Sequence, residues 1–368
     1  MSEVITAYAP GRAEWLGNHT DYNEGFVLAV AVNLGVTVTG RARADGRLRV
    51  HAREVGETWE GAVEALWPAP GMPWANYVIG VLAGLRARRV AFGGAEMGIS
   101  ATLPMGAGLS SSAALELATL FFVKRLYPFD MEPLAMARLA QTAEHEFTGV
   151  RCGLLDQLAS LLGRDGAGTY IDCRDHRVEN IPVPPGHVFV IVHSGVRHNL
   201  VSDAYNERRA SCEQAARVMG VKALRDVTPE ALAAARSRLP PVAWKRAHHV
   251  VGENDRVLAA VRALRVGDAA AVGRLMVASH ESSRDFFENS CPELDFLVEA
   301  ACAAPGCRGA RLSGGGFGGA IIAWVEADRA EEFQETVAGA YEKRYGNRPR
   351  SWVTPACEGA WNAMMNDE

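Results

Sequence analysis

Pro104-Met105-Gly106-Ala107-Gly108-Leu109-Ser110-Ser111-Ser112-Ala113-Ala114 is the stretch from which the fold of this chain is read. Its glycines let the backbone approach an anion closely, and its serines add hydroxyl donors. A strong helix follows over Ser111 to Leu126, with Ala113, Ala114, Leu117, Leu120 and Phe121 on one face. The free N–H groups and positive dipole end of that helix aim at the same point, so the segment is built as a phosphate cradle. The same residues also fit an ordinary glycine turn with serine helix caps. A Walker loop is excluded, because that pattern needs Gly-Lys and the chain contains no such dipeptide.

Working outward, Gly25 to Val38 reads as a valine-rich strand, and Trp74 to Arg86 carries apolar residues at helical spacing. Met131 to Phe147 is a further helix with Gly149 just past its end. Val188 to Val192 and Ala320 to Val325 read as buried strands. Strands and helices alternate, which points to a mixed α/β or α+β architecture. The loop-rich Pro182 to Gly186 places a boundary between residues 1–182 and 183–368. At 368 residues, two domains are expected. No solenoid repeat or low-complexity segment interrupts the pattern.

With a formal net charge of −5, the chain lacks the basic surplus of a broad nucleic-acid footprint. Its seven cysteines are odd in number and scattered without a CxxC pair, against a zinc site or a disulfide framework. No signal-peptide pattern or bilayer-length apolar run is present, so neither nucleic acid nor membrane is an expected partner and the cytoplasm is the expected compartment.

Two further segments carry chemistry. Gly314-Gly315-Gly316-Phe317-Gly318-Gly319 satisfies GxGxxG in form, but a strand-like run follows it where a dinucleotide fingerprint opens a helix, which argues against a Rossmann oxidoreductase. It fits either a tight connection with positive φ angles or a second backbone wall beside phosphates. Pro10 to Asn23 (PGRAEWLGNHTDYN) gathers polar side chains in an apparent loop, suited to a polyhydroxylated ligand or simply to solvent.

In this order and spacing the three segments resemble the motifs of the GHMP kinases, and Gly11 to Tyr22 is similar to the galactokinase signature within them. The likeness extends through Pro73 to Val78, Gln141 to His145, Cys152 to Gln157, Ser194 to Cys212 (with Val196-Arg197-His198) and Ser290 to Asp295. It implies a two-domain α+β GHMP kinase fold. The amino-terminal α/β domain, akin to one in a small-subunit ribosomal protein, contains an unusual left-handed crossover. The carboxy-terminal α+β domain is ferredoxin-like, and the active site lies between the two.

The resemblance implies ATP-dependent phosphorylation of galactose at its anomeric hydroxyl, with Mg2+ as cofactor. By it, Asp156 is the catalytic base and Arg12 the catalytic arginine. Ser112 and Glu144 are the metal ligands. Asn18, His19, Asp21, Gly153 and Tyr205 hold the sugar. Trp74 and the run Gly106, Ala107, Gly108, Leu109, Ser110, Ser111 and Ser112 hold the nucleotide. Leu154, Leu155, Leu158, Leu161 and Leu162 form one helical stripe from which Asp156 points away, as a site carboxylate should. Departures from the family pattern include Asn18, where a glutamate contacting the C6 hydroxyl is usual, Glu14 and Trp15 in place of an asparagine and an aliphatic residue, His193 and Gly195 in place of asparagines, and Ala320 in place of a cysteine. Selection for the C6 hydroxyl is therefore expected to weaken. Arabinose, a 6-deoxy sugar or a uronic acid is the alternative substrate, and a non-catalytic sugar sensor is the alternative class.

Overall fold

The computed structural model describes residues 3–104, 106–196 and 201–367, so Met105, Arg197 and His198 of the segments above lie outside the described residues. The first half forms a seven-stranded sheet of β1 (Ile5–Leu16), β2 (Phe26–Arg43), β3 (Arg47–Ala52), β4 (Glu57–Ala62), β5 (Gly94–Ala101), β6 (Ala167–Asp172) and β7 (Arg177–Pro182). Its order is β4-β3-β5-β2-β6-β7, with β1 paired to β2 off that path. β2 is the spine. Its valine- and threonine-rich 18 residues pair with β1, β5 and β6 at different points along their length. Helices α1 (Pro73–Ala87), α2 (Ser111–Leu126), α3 (Pro133–Thr148) and α4 (Leu155–Leu162) pack with this sheet, α2 and α4 directly on β1 and β2.

The second sheet is antiparallel throughout, in the order β11-β8-β10-β9, from β8 (His187–His193), β9 (Cys307–Ser313), β10 (Ala320–Glu326) and β11 (Arg350–Thr354). Between β8 and β9 run α5 (Val201–Met219), α6 (Pro229–Ala234), α7 (Pro241–Arg265), α8 (Ala269–Ser282) and α9 (Pro292–Ala303). Helix α10 (Ala330–Tyr345) joins β10 to β11, and α11 (Ala360–Asp367) ends the described chain. The glycine loop of the third segment thus joins two antiparallel strands, as its sequence context requires.

The apolar runs of β8 and β10 have a plain cause. Ala320, Ile322 and Trp324 face a core shared with Trp15 and the first sheet, while Ile321, Ala323 and Val325 face the layer under α9 and α10. Phe189 and Ile191 alternate with Val190 and Val192 in the same way. A strand buried on both faces has no polar side to show in its sequence. Trp15 meets Phe189 and Trp324 edge to face, with ring centroids 4.8 and 5.1 Å apart, and its indole N–H donates to Met276 Sδ. Such pairs add stability beyond the area they bury.

β7 ends at Pro182 and β8 begins at His187. The tail then returns to the first half: Asn33 N donates to Thr354 Oγ1, Cys357 N to Ala31 O and Gly359 N to Gly163 O, at 2.9–3.0 Å. Among the described residues, no helix is long and apolar enough to cross a membrane.

Candidate active site

The loop after β1 is held from below by the helical half of the chain. Glu253 on α7 accepts the N–H groups of Gly17 and Asn18 on one carboxylate oxygen, at 3.0 and 3.3 Å, and Ser279 Oγ at 2.6 Å. Burial pushes the Glu253 carboxyl up, but Arg256, paired to its other oxygen at 2.5 Å, together with Arg311 and the Ser279 hydroxyl, holds it well below the usual range. His249, lowered to about 4 by burial, is neutral and donates Nε2–H to Asn18 O at 3.0 Å. These ties fix His19, which sits at φ 60 in the left-handed region. The His19 ring is lowered to about 3, chiefly by burial. Its Nε2 lies 3.2 Å from Gly315 O, an acceptor, so Nε2 carries the proton and the Tyr22 hydroxyl donates to Nδ1 at 2.8 Å.

Above this loop opens a cavity of about 240 Å³. Arg12, Asn18, His19, Asp21, Glu144, Asp156 and Tyr205 all line it, together with Glu14, Val150, Cys152, Gly314 and Gly315. Gly153 stands immediately behind: a Cβ there would lie 2.0 Å from Asp21 Oδ2, so only glycine permits that carboxylate its place. The cradle residues border the cavity through Arg12, whose Nη1 donates to Gly108 O at 2.6 Å and whose N donates to Leu109 O at 3.1 Å. Ala107 and Leu109 are buried. Ser110 precedes the first turn of α2 but does not cap it; at φ 54 its hydroxyl donates instead to Asp156 Oδ2 at 2.5 Å. That contact separates the cradle from an ordinary serine-capped turn. Ser111 is exposed at the start of α2. Trp74 is not among the lining residues; it is half-buried in the first turn of α1 and donates to Glu57 Oε2 at 2.6 Å.

Asp156 begins α4 and is clamped by Arg12, whose Nε and Nη2 reach Oδ1 at 2.8 and 2.6 Å. Burial works against the Arg12 charge, yet the carboxylates of Asp156, Glu14 and Asp21 together raise it, so the guanidinium is permanently charged. Asp156 acts in turn on its neighbours. Burial first, and then Asp156, push Asp21 and Glu144 each up to about 7. Glu144 is nearly buried, within hydrogen-bonding reach of Ser112, Cys152 and Gln157. Gln157 also donates to Glu116 Oε2 at 3.2 Å, and burial raises Glu116 well above the carboxylate range. Among the described residues no group of three His, Cys, Asp or Glu is arranged to hold a metal. A hydroxyl and one carboxylate, Ser112 and Glu144, nevertheless suit Mg2+, which keeps several waters and shares phosphate oxygens. The crowding that raises Glu144 is what a cation there would relieve.

The third segment closes the roof. Gly314, Gly316, Phe317, Gly318 and Gly319 all have positive φ, and a Cβ on Gly108 would lie 2.7 Å from Ser313 O. Backbone therefore lies directly on backbone where the two loops meet. Asn289, fully buried, ties roof to floor: Nδ2 donates to Asn18 Oδ1 at 2.9 Å and Gly315 O at 3.1 Å, and its own carbonyl accepts Phe317 N–H at 2.6 Å.

Asn18 departs from the contact expected of it. Its Nδ2 donates to Glu14 Oε1 at 2.9 Å and Gly314 O at 2.8 Å, so both amide N–H bonds are committed within the protein. Glu14 Oε1 also receives Arg311 Nη1 at 2.9 Å, with side-chain exposures of 5% and 0% for the pair. Sequence reasoning missed Glu14, Arg311, Cys152, Gln157, Glu116, Asn289, Glu253 and His249. Four carried a signal: Glu14 as a departure from the family pattern, Glu116 as a charge in the apolar register of α2, and Cys152 and Gln157 by bounding a segment of the likeness.

Residues 76–164 match the family described as GHMP kinases N terminal domain, residues 260–343 that described as GHMP kinases C terminal, and residues 2–42 the galactokinase galactose-binding signature. A galactokinase of Haemophilus influenzae is 44% identical over 360 residues, covering 96% of this chain and 94% of its own. One of Chloroflexus aggregans is 42% identical over 367 residues, covering 98% and 94%. The crystal structure of Lactococcus lactis galactokinase complexed with galactose superposes with a TM-score of 0.93 at 32% identity, over 97% of this chain and 94% of that one. A Methanococcus jannaschii mevalonate kinase, 16% identical with a TM-score of 0.72 over 97% and 99%, shares the fold.

Proposed function

The chain belongs to the galactokinases of the GHMP kinase superfamily, and on that premise we propose how its residues transfer the γ-phosphoryl group of ATP to the anomeric hydroxyl of galactose. The products are galactose 1-phosphate and ADP. The observation that carries the residue assignment is the contact of Arg12, Asp156 and Ser110 where the sugar loop, α4 and the phosphate cradle converge on one cavity.

Asp156 is the base. With Arg12 on one oxygen and Ser110 on the other, its carboxylate is oriented before substrate arrives. It accepts the proton of the anomeric hydroxyl as the sugar oxygen bonds to phosphorus and the bond to the ADP oxygen breaks. Arg12 pairs with the Asp156 carboxylate and lies against Gly108 of the cradle, where its charge acts on the transferring group. The first N–H groups of α2, which have no partner within the helix, face the phosphates from Gly106 to Ser112. Trp74 lies on the adenine side. Mg2+ held by Ser112 and Glu144 would neutralise phosphate charge that no Walker lysine covers in this chain. His19, Asp21, Gly153 and Tyr205 take the sugar: Asp21 accepts hydroxyls, Gly153 leaves it room, and the ring of Tyr205 stands 4.9 Å from that of His19. The free cysteines fit a cytoplasmic location, and residues 1–182 and 183–368 are the two working halves.

The test is purified protein with galactose and MgATP, scored for ADP and for galactose 1-phosphate by phosphorus NMR, with chelator as control. ADP release that does not depend on sugar, or a product phosphorylated elsewhere than at the anomeric oxygen, overturns the assignment.

A further inference from the structure

Glu14 and Asn18 stand on the same side of the cavity, and their hydrogen-bonding capacities differ. The Asn18 amide is saturated: two donors committed to Glu14 and Gly314, and its oxygen accepting Asn289. Glu14 is not. Oε1 takes both Asn18 Nδ2 and Arg311 Nη1, whereas among the described residues no hydrogen bond reaches Oε2. The residue is 3% exposed and lines the cavity. Glu14 Oε2 therefore opens on the cavity without a protein donor, where a ligand hydroxyl can supply one. Arg311, fully buried, provides the countercharge that keeps this carboxylate in place.

We infer that Glu14 is a substrate-binding residue of this enzyme, its Oε2 accepting one hydroxyl of the sugar, with Asn18 as the positioning residue that orients it. The inference rests on the galactokinase reading above. It also turns the departures in the sugar loop into one event. Amide and carboxylate have exchanged places across a single hydrogen bond, so the carboxylate is retained at the site from four residues upstream. The expected loss of sugar selectivity through Asn18 then does not occur.

The experiment compares kcat/KM for galactose and for its 2-, 3-, 4- and 6-deoxy analogues in the parent, in Glu14→Gln, and in the reciprocal exchange Glu14→Asn with Asn18→Glu. Glu14→Gln keeps the shape and an acceptor for Asn18 but removes the charge. We expect roughly a 10–100-fold loss on galactose, carried mainly by KM, the usual size of a lost charge-assisted bond. One deoxy analogue, the one lacking the hydroxyl that Glu14 reads, should be poor in the parent and lose almost nothing further in the variant. The reciprocal exchange should recover most of the activity and the same deoxy profile. Equal losses on galactose and all four analogues, or no loss at all, overturn the inference. Because Glu14→Gln leaves Arg311 buried without its counterion, thermal unfolding and the KM for ATP are measured alongside. Glu14→Asp keeps the charge but withdraws the oxygen, and must reproduce the selective loss if the contact is real. Absence of galactose turnover in the parent would instead overturn the functional reading itself.

Discussion

Asp156→Asn isolates the base from the architecture around it. The carboxylate holds three donors, Arg12 Nε at 2.8 Å, Arg12 Nη2 at 2.6 Å and Ser110 Oγ at 2.5 Å, the first two on one oxygen. An amide placed there can offer its oxygen to Arg12 and its NH2 to Ser110, whose hydroxyl turns from donor to acceptor. Shape and contacts persist, while the proton acceptor and the charge disappear. A positioned base is worth roughly 10²–10⁴ in rate, about 3–5 kcal/mol of transition-state stabilisation. Folding should suffer less. Breaking an isolated buried ion pair costs about 3–5 kcal/mol, but here the loss is offset because Asp156 is also a charge that crowds Asp21 and Glu144. The assay is steady-state ADP release at saturating galactose and MgATP, with sugar and nucleotide affinities from calorimetry. Turnover within a few-fold of the parent removes Asp156 from the base role, and loss of sugar and nucleotide binding together would show that the mutation acted on structure.

Ser112→Ala combined with Glu144→Gln should abolish Mg2+-dependent turnover, read as ADP release across a magnesium titration; unchanged activity at unchanged magnesium refutes the metal assignment. Asp21 titrates near 7 because it is buried beside Asp156. Its raised folded-state value favours the protonated protein, so this contribution to stability is full below the ordinary value of 3.8 and is lost as pH rises toward about 7. The ionised form is the better hydroxyl acceptor, so galactose affinity measured without nucleotide or metal should rise as pH passes through about 7, and Asp21→Asn should flatten that affinity profile and remove Asp21's share of the stability profile. Gly153→Ala puts a methyl group where Asp21 Oδ2 now stands, and should raise the galactose KM at least about tenfold with the ATP KM unchanged.

How much of this was legible in the sequence depended on how local the signal was. Glycines with positive φ, a serine run opening a helix and the two-faced apolar runs of β8 and β10 are local, and each announces its role through steric or burial rules. The clamp on Asp156 joins residues 144 positions apart, and the Glu14–Arg311 pair joins residues 297 apart; spacing along the chain says nothing of either. Ser110 could be read as a cap because nothing in the tripeptide says that Asp156 will take its hydroxyl. Asn18 reads as a sugar contact from its place in the motif, while its ties to Glu14 and Gly314 depend on residues whose placement that motif does not announce. Trp15, at sequence level only a departure, is the apolar hub between the two sheets.

The return of the tail to the first sheet bears on how the molecule is made. On a ribosome the residues through β7 emerge long before Thr354, Cys357 and Gly359, whose partners are Asn33, Ala31 and Gly163. Trp15 likewise waits for Trp324 to cover it. Synthesis proceeds at roughly 5–20 residues per second, so the first half spends on the order of ten seconds or more with its apolar face open. During that interval the nascent chain is a client for chaperones, and a message truncated after β7 should yield an aggregating fragment instead of a free-standing half-enzyme.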